Sequence, residues 1–158
     1  MPLDRRRFLA ILAAAGTVAQ TRPGMAATAL QKLLVAKDPS CGCCTGWVDH
    51  MRAAGFPVEV IDTPNIDQVK ARLNVPADLS SCHTAEIGGY VVEGHVPADA
   101  VGRLLAERPN ARGLSVPGMP VGSPGMEVDG APSDTYEVVM FGPAGRTVFA
   151  SYKGSRRL

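Results

Sequence analysis

Residues 30–55, LQKLLVAKDPSCGCCTGWVDHMRAAG, carry the signals of a strand, a turn and a helix in immediate succession. The run at 30–36 is short and apolar, as in a buried strand, and residues 38–40 (DPS) are turn formers that end with a serine suited to a helix N-cap. Apolar residues recur at helical spacing over 47–54, and the glycine after them ends the pattern. The stretch predicts a strand-turn-helix unit with two cysteines in the first turn of its helix.

Further strands and helices follow along the chain. Residues 56–61 (FPVEVI) alternate as a strand does, and 65–75 (NIDQVKARLNV) carry a helical stripe of apolar residues. We expect a third strand over 86–93 with a bulge or close backbone approach at Gly88-Gly89, and a third helix over 97–108 that a proline opens. This alternation favours an α/β layer fold.

The remaining residues form a loop and a hairpin by their pattern. Residues 113–134 are dense in glycine and proline, contain two methionines and show no periodic face, so they predict a loop. Two alternating runs within 135–153, separated by GPAG at 142–145, predict a β-hairpin. Cysteines between a first strand and a first helix are typical of thioredoxin-like proteins. The pattern therefore predicts a thioredoxin-like mixed sheet with flanking helices, a Gly/Pro/Met-rich loop and a C-terminal hairpin.

The N-terminal segment, residues 1–29, has the pattern of an export signal. Arginines at 5–7 precede a short, alanine-rich apolar stretch at 9–19 that is too short to span a bilayer. The arginines followed by Phe-Leu resemble a twin-arginine signal, with an ordinary secretory signal or an uncleaved anchor as alternatives. Small residues end the segment, so we expect cleavage near Ala29 and a periplasmic domain at 30–158 without a stable membrane anchor.

Charge and length exclude some functions for this domain. Loss of residues 1–29 takes away four arginines and one aspartate, which leaves 12 lysines and arginines against 14 acidic residues. Without a basic patch, nucleic acid is not expected as a partner. The remaining length suits one domain with a single, mainly aliphatic core.

Cys41, Cys43 and Cys44 crowd three of the four cysteines into one turn. A disulfide between such close neighbours restrains the unfolded chain little, so a purely structural bridge is not expected. The positive end of a helix stabilises thiolates, which are nucleophiles and metal ligands. Cys41 and Cys44 have the C-x-x-C spacing of dithiol exchange, which needs no third sulfur. Cu(I) prefers sulfur ligands and accepts sulfurs that bridge two ions, whereas zinc prefers a tetrahedron built from two spaced pairs of ligands.

Cys82 and His83 are adjacent in sequence, just before the expected third strand. In a thioredoxin-like sheet, that loop faces the N-terminal end of the first helix. We therefore expect the fourth sulfur to meet the first three. His83 is either a copper ligand, a base for a thiol or a solvated loop residue, and Cys82 is a ligand, a small buried side chain or a disulfide partner.

Other soft donors are weaker candidates. Met119 and Met126 lie in the loop and offer thioethers to Cu(I), although each alone is more typical of a residue that pins a loop to the core. His50 lies two helical turns from Cys43 and favours a surface role, with a neighbouring copper as the alternative. His95 follows the third strand and favours a turn or cap.

Residues 38–56, 81–98 and 116–127 together resemble the CopG-type family of periplasmic copper-resistance proteins. The C-x-C-C run, the Cys-His pair and the methionine loop occur in the same order, over nearly all of residues 30–158. The resemblance implies a thioredoxin-like fold and a multinuclear copper cluster on the C-x-C-C cysteines. It also implies a role in copper redox chemistry during metal stress, and so a possible copper-dependent oxidoreductase.

The sequence as a whole predicts an exported protein that holds Cu(I) in copper resistance. Its expected partners are copper ions and other periplasmic copper-handling proteins. One alternative is a thiol-disulfide oxidoreductase that uses Cys41 as nucleophile and Cys44 as resolving thiol. A second is a binding module stabilised by zinc or by two disulfides. No proline stands before the third strand at the position opposite the cysteines, which disfavours ordinary disulfide exchange.

Overall fold

A computed structural model describes residues 31–158 as a single eight-stranded sheet with three α-helices. In chain order the elements are β1 (Leu33–Lys37), α1 (Gly42–Ala53), β2 (Val58–Asp62), α2 (Ile66–Arg72), a 3-10 turn (Ala77–Leu79), β3 (His83–Ile87), β4 (Tyr90–Glu93), α3 (Ala98–Glu107), β5 (Gly113–Ser115), β6 (Thr135–Gly142), β7 (Gly145–Lys153) and β8 (Arg156–Arg157). None of these helices is long and apolar enough to cross a membrane.

The strands are arranged in the order β2-β1-β3-β4-β5-β6-β7-β8. β1 pairs in parallel with β2, and β4 with β5, while the other neighbours are antiparallel. The expected mixed α/β sheet, with helices and the C-terminal β6–β7 hairpin, is confirmed. Its assignment as thioredoxin-like stays a prediction. The export signal at 1–29 lies outside the described residues.

The strand-turn-helix unit at 30–55 forms as predicted because both elements bury one apolar face. Leu33 and Val35 of β1 and Trp47 and Met51 of α1 belong to the same buried cluster. The expected serine cap is wrong: the N-cap of α1 is Cys41, and no side chain caps it. Ser40 instead donates its backbone N–H to Asp38 Oδ1 at 2.8 Å, so these residues form a closed turn before the helix.

The expected third strand at 86–93 is wrong, because the structure has a hairpin there. β3 and β4 pair antiparallel and are joined at Gly88 and Gly89, whose φ angles are +59° and +88°. A type I′ hairpin turn has positive φ at both central positions, which glycine adopts without strain. The two glycines therefore mark a turn, and His83 begins a strand instead of ending a loop.

The expected loop at 113–134 is confirmed only after its first three residues, which form β5 between β4 and β6. A Cβ at Gly113 would lie 1.9 Å from Val91 O, so the close pairing with β4 needs a glycine. Residues 116–134 contain no helix or strand. They pack against α1, where a Cβ at Gly46 would lie 2.9 Å from Gly125 Cα.

Candidate metal centre

Three cysteines lie at the N-terminal end of α1, as the sequence predicts. Cys41 is the N-cap, and Cys43 and Cys44 belong to the first turn. Cys41 and Cys44 form a disulfide, with Cα atoms 5.4 Å apart, and Cys43 is a free thiol. Cys44 is fully buried, whereas Cys41 and Cys43 are half-buried, so solvent reaches this end of the helix beside Cys41 and Cys43.

The structure brings Cys82 to this cluster from the start of β3. Its sulfur lies 3.8 Å from Cys43 Sγ, and Cys43 Sγ lies 3.5 Å from Cys41 Sγ. All four cysteine sulfurs lie within 4.8 Å of one another. β1 pairs with β3, so the chain that leaves β1 toward α1 and the chain that enters β3 meet at one edge of the sheet.

Two buried histidines adjoin the same sulfur. Cys82 Sγ lies 3.3 Å from His83 Nδ1 and 3.1 Å from His95 Nε2. The two imidazole rings meet edge to face, with centroids 5.0 Å apart. Trp47 packs on His83 at 4.4 Å and donates its indole N–H to Val96 O at 2.8 Å, so it is a packing residue beneath the site, as expected.

His95 lies in the bend after β4, and its side chain makes contacts that the expected turn or capping role does not include. His95 is fully buried and takes part in the second of two groups of donor atoms, Cys82, His83 and His95. The reason is the β3–β4 hairpin: the end of β4 returns to the start of β3, where Gly94 donates its N–H to His83 O at 3.1 Å. Recognition of the Gly88-Gly89 turn would have placed His95 beside Cys82.

The hydrogen bonds of the histidines leave nitrogen lone pairs directed into the site. His95 Nδ1 lies 2.8 Å from Pro124 O, which only accepts, so Nδ1 carries the proton and Nε2 faces Cys82 with its lone pair. This is the usual arrangement of a metal-ligating histidine, whose second nitrogen donates to a carbonyl. His83 Nε2 is buried and has no hydrogen-bond partner among residues 31–158. The nitrogen of His83 that faces Cys82 Sγ is the other one, Nδ1, and this is the atom that an ion in the site would contact.

Burial sets the protonation of these groups. Burial, with a contribution from the neighbouring Cys43, raises the pKa of the Cys82 thiol to about 11. Burial, with smaller contributions led by His95 and Lys70, holds the pKa of His83 well below its usual range. Burial also lowers the pKa of His95. Both imidazoles are therefore neutral at physiological pH and able to bind a metal, whereas the Cys82 thiol must release a proton to do so.

The weaker candidates are placed differently. His50 accepts the backbone N–H of Ala98 at Nε2, over 3.1 Å, so it links α1 to the start of α3. Met119 is 53% exposed. Met126 is held in a tight turn by its backbone bonds to Gly122 and Ser123. Among the histidine, cysteine and carboxylate donors of residues 31–158, His50 belongs to neither of the two groups, Cys41-Cys43-Cys44-Cys82 and Cys82-His83-His95. Met119 and Met126 stay candidates.

The loop at 116–134 forms one wall of the site. Pro124 accepts from His95, and Gly125 lies so close to α1 that a Cβ on it would be 2.6 Å from Cys43 O. Gly125 also has a φ of +83°, which disfavours any other residue. The loop thus contacts the site through the backbone at Pro124 and Gly125, which the sequence does not indicate as clearly as it indicates the methionines.

The chain is similar to one protein family and to solved structures of copper resistance proteins. A family model described as "Protein of unknown function, DUF411" matches residues 79–126, which include Cys82, His83 and His95. A solved structure titled "Copper resistance protein copG- Form 2" is 44% identical, with a TM-score of 0.73, and the match covers 78% of this chain and 98% of that one. A second, "Copper resistance protein copG- Form 1", has the same identity and TM-score and covers 79% and 99%. No curated protein matches.

Proposed function

Because the chain belongs to the CopG family of copper resistance proteins, we propose that it binds Cu(I) through the four cysteines, His83 and His95 and holds it as a multinuclear thiolate cluster. The observation that carries the proposal is that Cys82 is shared by two groups of donor atoms. Its sulfur joins the four-cysteine group to the two imidazoles. A thiolate in this position is suited to bridge two copper ions.

The number and kind of donors favour several copper ions over one metal of another kind. Four sulfurs and two neutral imidazole nitrogens converge within a few ångströms, whereas one Cu(I) takes only a few ligands. Thiolate and imidazole together suit copper, and magnesium and calcium prefer oxygen ligands. The half-buried cysteines give an ion a route to the site from solvent.

Copper loading through all four sulfurs requires a reduction step. Two electrons and two protons convert the Cys41–Cys44 disulfide into two thiols, and each thiol loses a proton when it binds Cu(I). An external dithiol is a suitable reductant and becomes a disulfide itself. The partly exposed Cys41 is the sulfur that such a thiolate can reach, with the buried Cys44 as the leaving group.

The first prediction is that anaerobically reduced residues 30–158 take up more than one Cu(I) per chain. The uptake is measured by titration against a chromophoric Cu(I) chelator, together with total metal analysis and X-ray absorption for the ratio of sulfur to nitrogen ligands. Protein that keeps the Cys41–Cys44 disulfide should take up less, because two ligands are blocked. Uptake of one or no Cu(I) by the reduced protein would contradict a cluster, and tight retention of zinc would favour the zinc alternative.

A second candidate function is thiol-disulfide exchange, which the Cys41–Cys44 disulfide itself favours. A half-buried N-cap cysteine paired with a buried one is suited to attack by an external thiolate at Cys41. The substitution Cys43→Ser separates the two functions. Disulfide exchange should survive it, whereas Cu(I) binding should lose most of its stoichiometry.

A further inference from the structure

Lys70 and Glu93 form a buried ion pair that no metal-binding or redox step described above uses. Lys70 is 5% exposed and Glu93 is fully buried, and the Lys70 ammonium group contacts Glu93 Oε1. Lys70 belongs to α2 and Glu93 is the last residue of β4. Glu93 pairs with Thr84 in the sheet, so the side chains of these two residues lie on the same face. His83 precedes Thr84 in β3, and its side chain therefore lies on the opposite face from that of Glu93.

An ion pair in this position is costly, which makes it informative. Removing two charges from water is unfavourable, and well-packed apolar residues in place of a buried ion pair often give equal or higher stability. Glu93 Oε2 is buried and has no hydrogen-bond partner among the described residues, so the pair is not even fully compensated. Stability alone is thus a weak explanation for this pair.

The second contact of Glu93 leads directly to the metal centre. Glu93 Oε1 also accepts the backbone N–H of Ser81 at 2.7 Å, and Ser81 directly precedes Cys82. Along the chain, Glu93 stands two residues before His95. One carboxylate therefore connects the segment that carries Cys82 to the segment that carries His95.

On the basis of the proposed copper function, we propose that the Lys70–Glu93 pair is a positioning pair for the metal centre. Lys70 fixes the Glu93 carboxylate from α2, and the carboxylate fixes the Ser81 peptide. The result is a fixed separation of Cys82 Sγ and His95 Nε2, which is 3.1 Å in this structure. The pair acts through the backbone and does not touch the copper.

The opposite side of the same segment has its own contact. Ser81 Oγ donates to Gly118 O, and Gly118 donates its N–H to Ser80 O at 3.4 Å. The segment before Cys82 is thus held by Glu93 on one side and by the loop on the other. Loss of the Glu93 contact frees one side and leaves the Ser81 N–H without its acceptor.

Two double variants test the positioning role separately from stability. K70M/E93Q removes both charges but keeps a carbonyl oxygen that can accept from Ser81, whereas K70M/E93L also removes that acceptor. We expect K70M/E93L to bind Cu(I) about tenfold or more weakly, the size of effect known for outer-shell partners of metal ligands. Its Cu(I)–thiolate ultraviolet absorption should change as well. K70M/E93Q keeps an acceptor for Ser81 but loses the Lys70 contact that holds it, so its Cu(I) affinity should lie between those of the wild type and K70M/E93L.

Single substitutions at Ser81 provide a second test that leaves the ion pair intact. Ser81→Pro removes the backbone N–H, and the extended conformation of Ser80 (φ −70°, ψ 146°) is compatible with a proline after it. Ser81→Ala keeps the N–H and loses the two contacts of the hydroxyl, with Gly118 O and, at 3.9 Å, with Cys82 Sγ. We expect the proline variant to reproduce the affinity loss of K70M/E93L and the alanine variant to bind more tightly than the proline variant.

The outcomes decide between this inference and the proposed function. If the wild type takes up no Cu(I), the proposed function fails and the positioning role falls with it. If the wild type binds but the paired variants do not differ from each other in affinity and spectrum, only the positioning role is overturned. Thermal unfolding of the reduced, metal-free variants is recorded in parallel, and should K70M/E93L not fold, the comparison of Ser81→Pro with Ser81→Ala decides.

Discussion

Cys82 belongs to both groups of donor atoms and so connects the cysteines to the histidines. Its sulfur lies 3.8 Å from Cys43 Sγ and 3.1 Å from His95 Nε2. Burial raises the pKa of this thiol to about 11, so in the metal-free protein the proton stays on the sulfur at neutral pH. A metal that replaces this proton would also give the neighbouring imidazole nitrogens a ligand bond, and metal binding is expected to release protons.

At the scale of single residues, we predict that His95→Ala weakens Cu(I) binding at least about tenfold. The variant removes a nitrogen lone pair that the Pro124 contact directs at the site, and such oriented ligands and their partners contribute strongly to metal affinity. Competition titration measures the change. His50→Ala is the matched control, because His50 bonds to Ala98 and not to the cluster. Equal affinity in the two variants would contradict a ligand role for His95.

The sequence predicts the three cysteines of the C-x-C-C run as ligands from their spacing, and it offers Cys82 and His83 as candidates from the expected position of their loop. The structure groups the four sulfurs together and groups Cys82 with His83 and His95. The sequence does not predict that His95 lies near Cys82, because the position of a histidine after a strand depends on the pairing of that strand. Only the β3–β4 hairpin brings His95 to Cys82. The assignment of any of these residues as ligands stays a prediction until a metal is measured.

At the scale of elements, the site depends on how helices and strands end. α1 begins at the cysteines, and His50 in its last turn accepts the N–H of Ala98 at the start of α3. An imidazole accepts at Nε2 only when that nitrogen carries no proton. Burial lowers the pKa of His50, so the folded protein favours its neutral form.

This contact predicts a pH-dependent stability. Because the folded pKa of His50 lies below the ordinary value of 6.5, its contribution is fully present above pH 6.5 and is lost as the pH falls from there through the folded pKa. His50→Gln keeps an acceptor oxygen but does not titrate. We expect the metal-free wild type to lose more stability than His50→Gln between pH 7 and pH 5, measured by denaturant unfolding. Parallel curves for the two proteins would contradict the coupling.

The long periodic elements were predictable because their apolar patterns match their burial. β1, α1, β2, α2, α3 and the β6–β7 hairpin lie where the patterns place them. β5 and β8 have three and two residues, too few to show a period. The β3–β4 hairpin was missed because both strands are almost fully buried, so no alternation marks the boundary between them.

At the scale of the whole molecule, one edge of the sheet collects donors from segments far apart in the chain. The cysteines of α1, the Cys82-His83 pair and His95 meet there, and the loop at 116–134 closes one wall. Local sequence patterns do not show that these donor residues lie close together, because their proximity depends on which strands pair. The pairs β1–β3 and β3–β4 are therefore the part of the fold on which the proposed copper site depends most.

The compartment of the protein follows from the segment before this sheet, and we predict that residues 1–29 direct export and are removed near Ala29. A reporter enzyme that is active only outside the cytoplasm, fused after residue 40, should be active with the wild-type segment. Replacement of the arginines at positions 5–7 by lysines should abolish export through the twin-arginine route. A Sec-type signal would tolerate the same replacement, because the Sec route requires a positive charge and not arginine itself. N-terminal sequencing of the exported protein locates the cleavage site.

A reporter that stays inactive with the wild-type segment would contradict export. It would also place the four cysteines in a reducing compartment, where the Cys41–Cys44 disulfide does not persist.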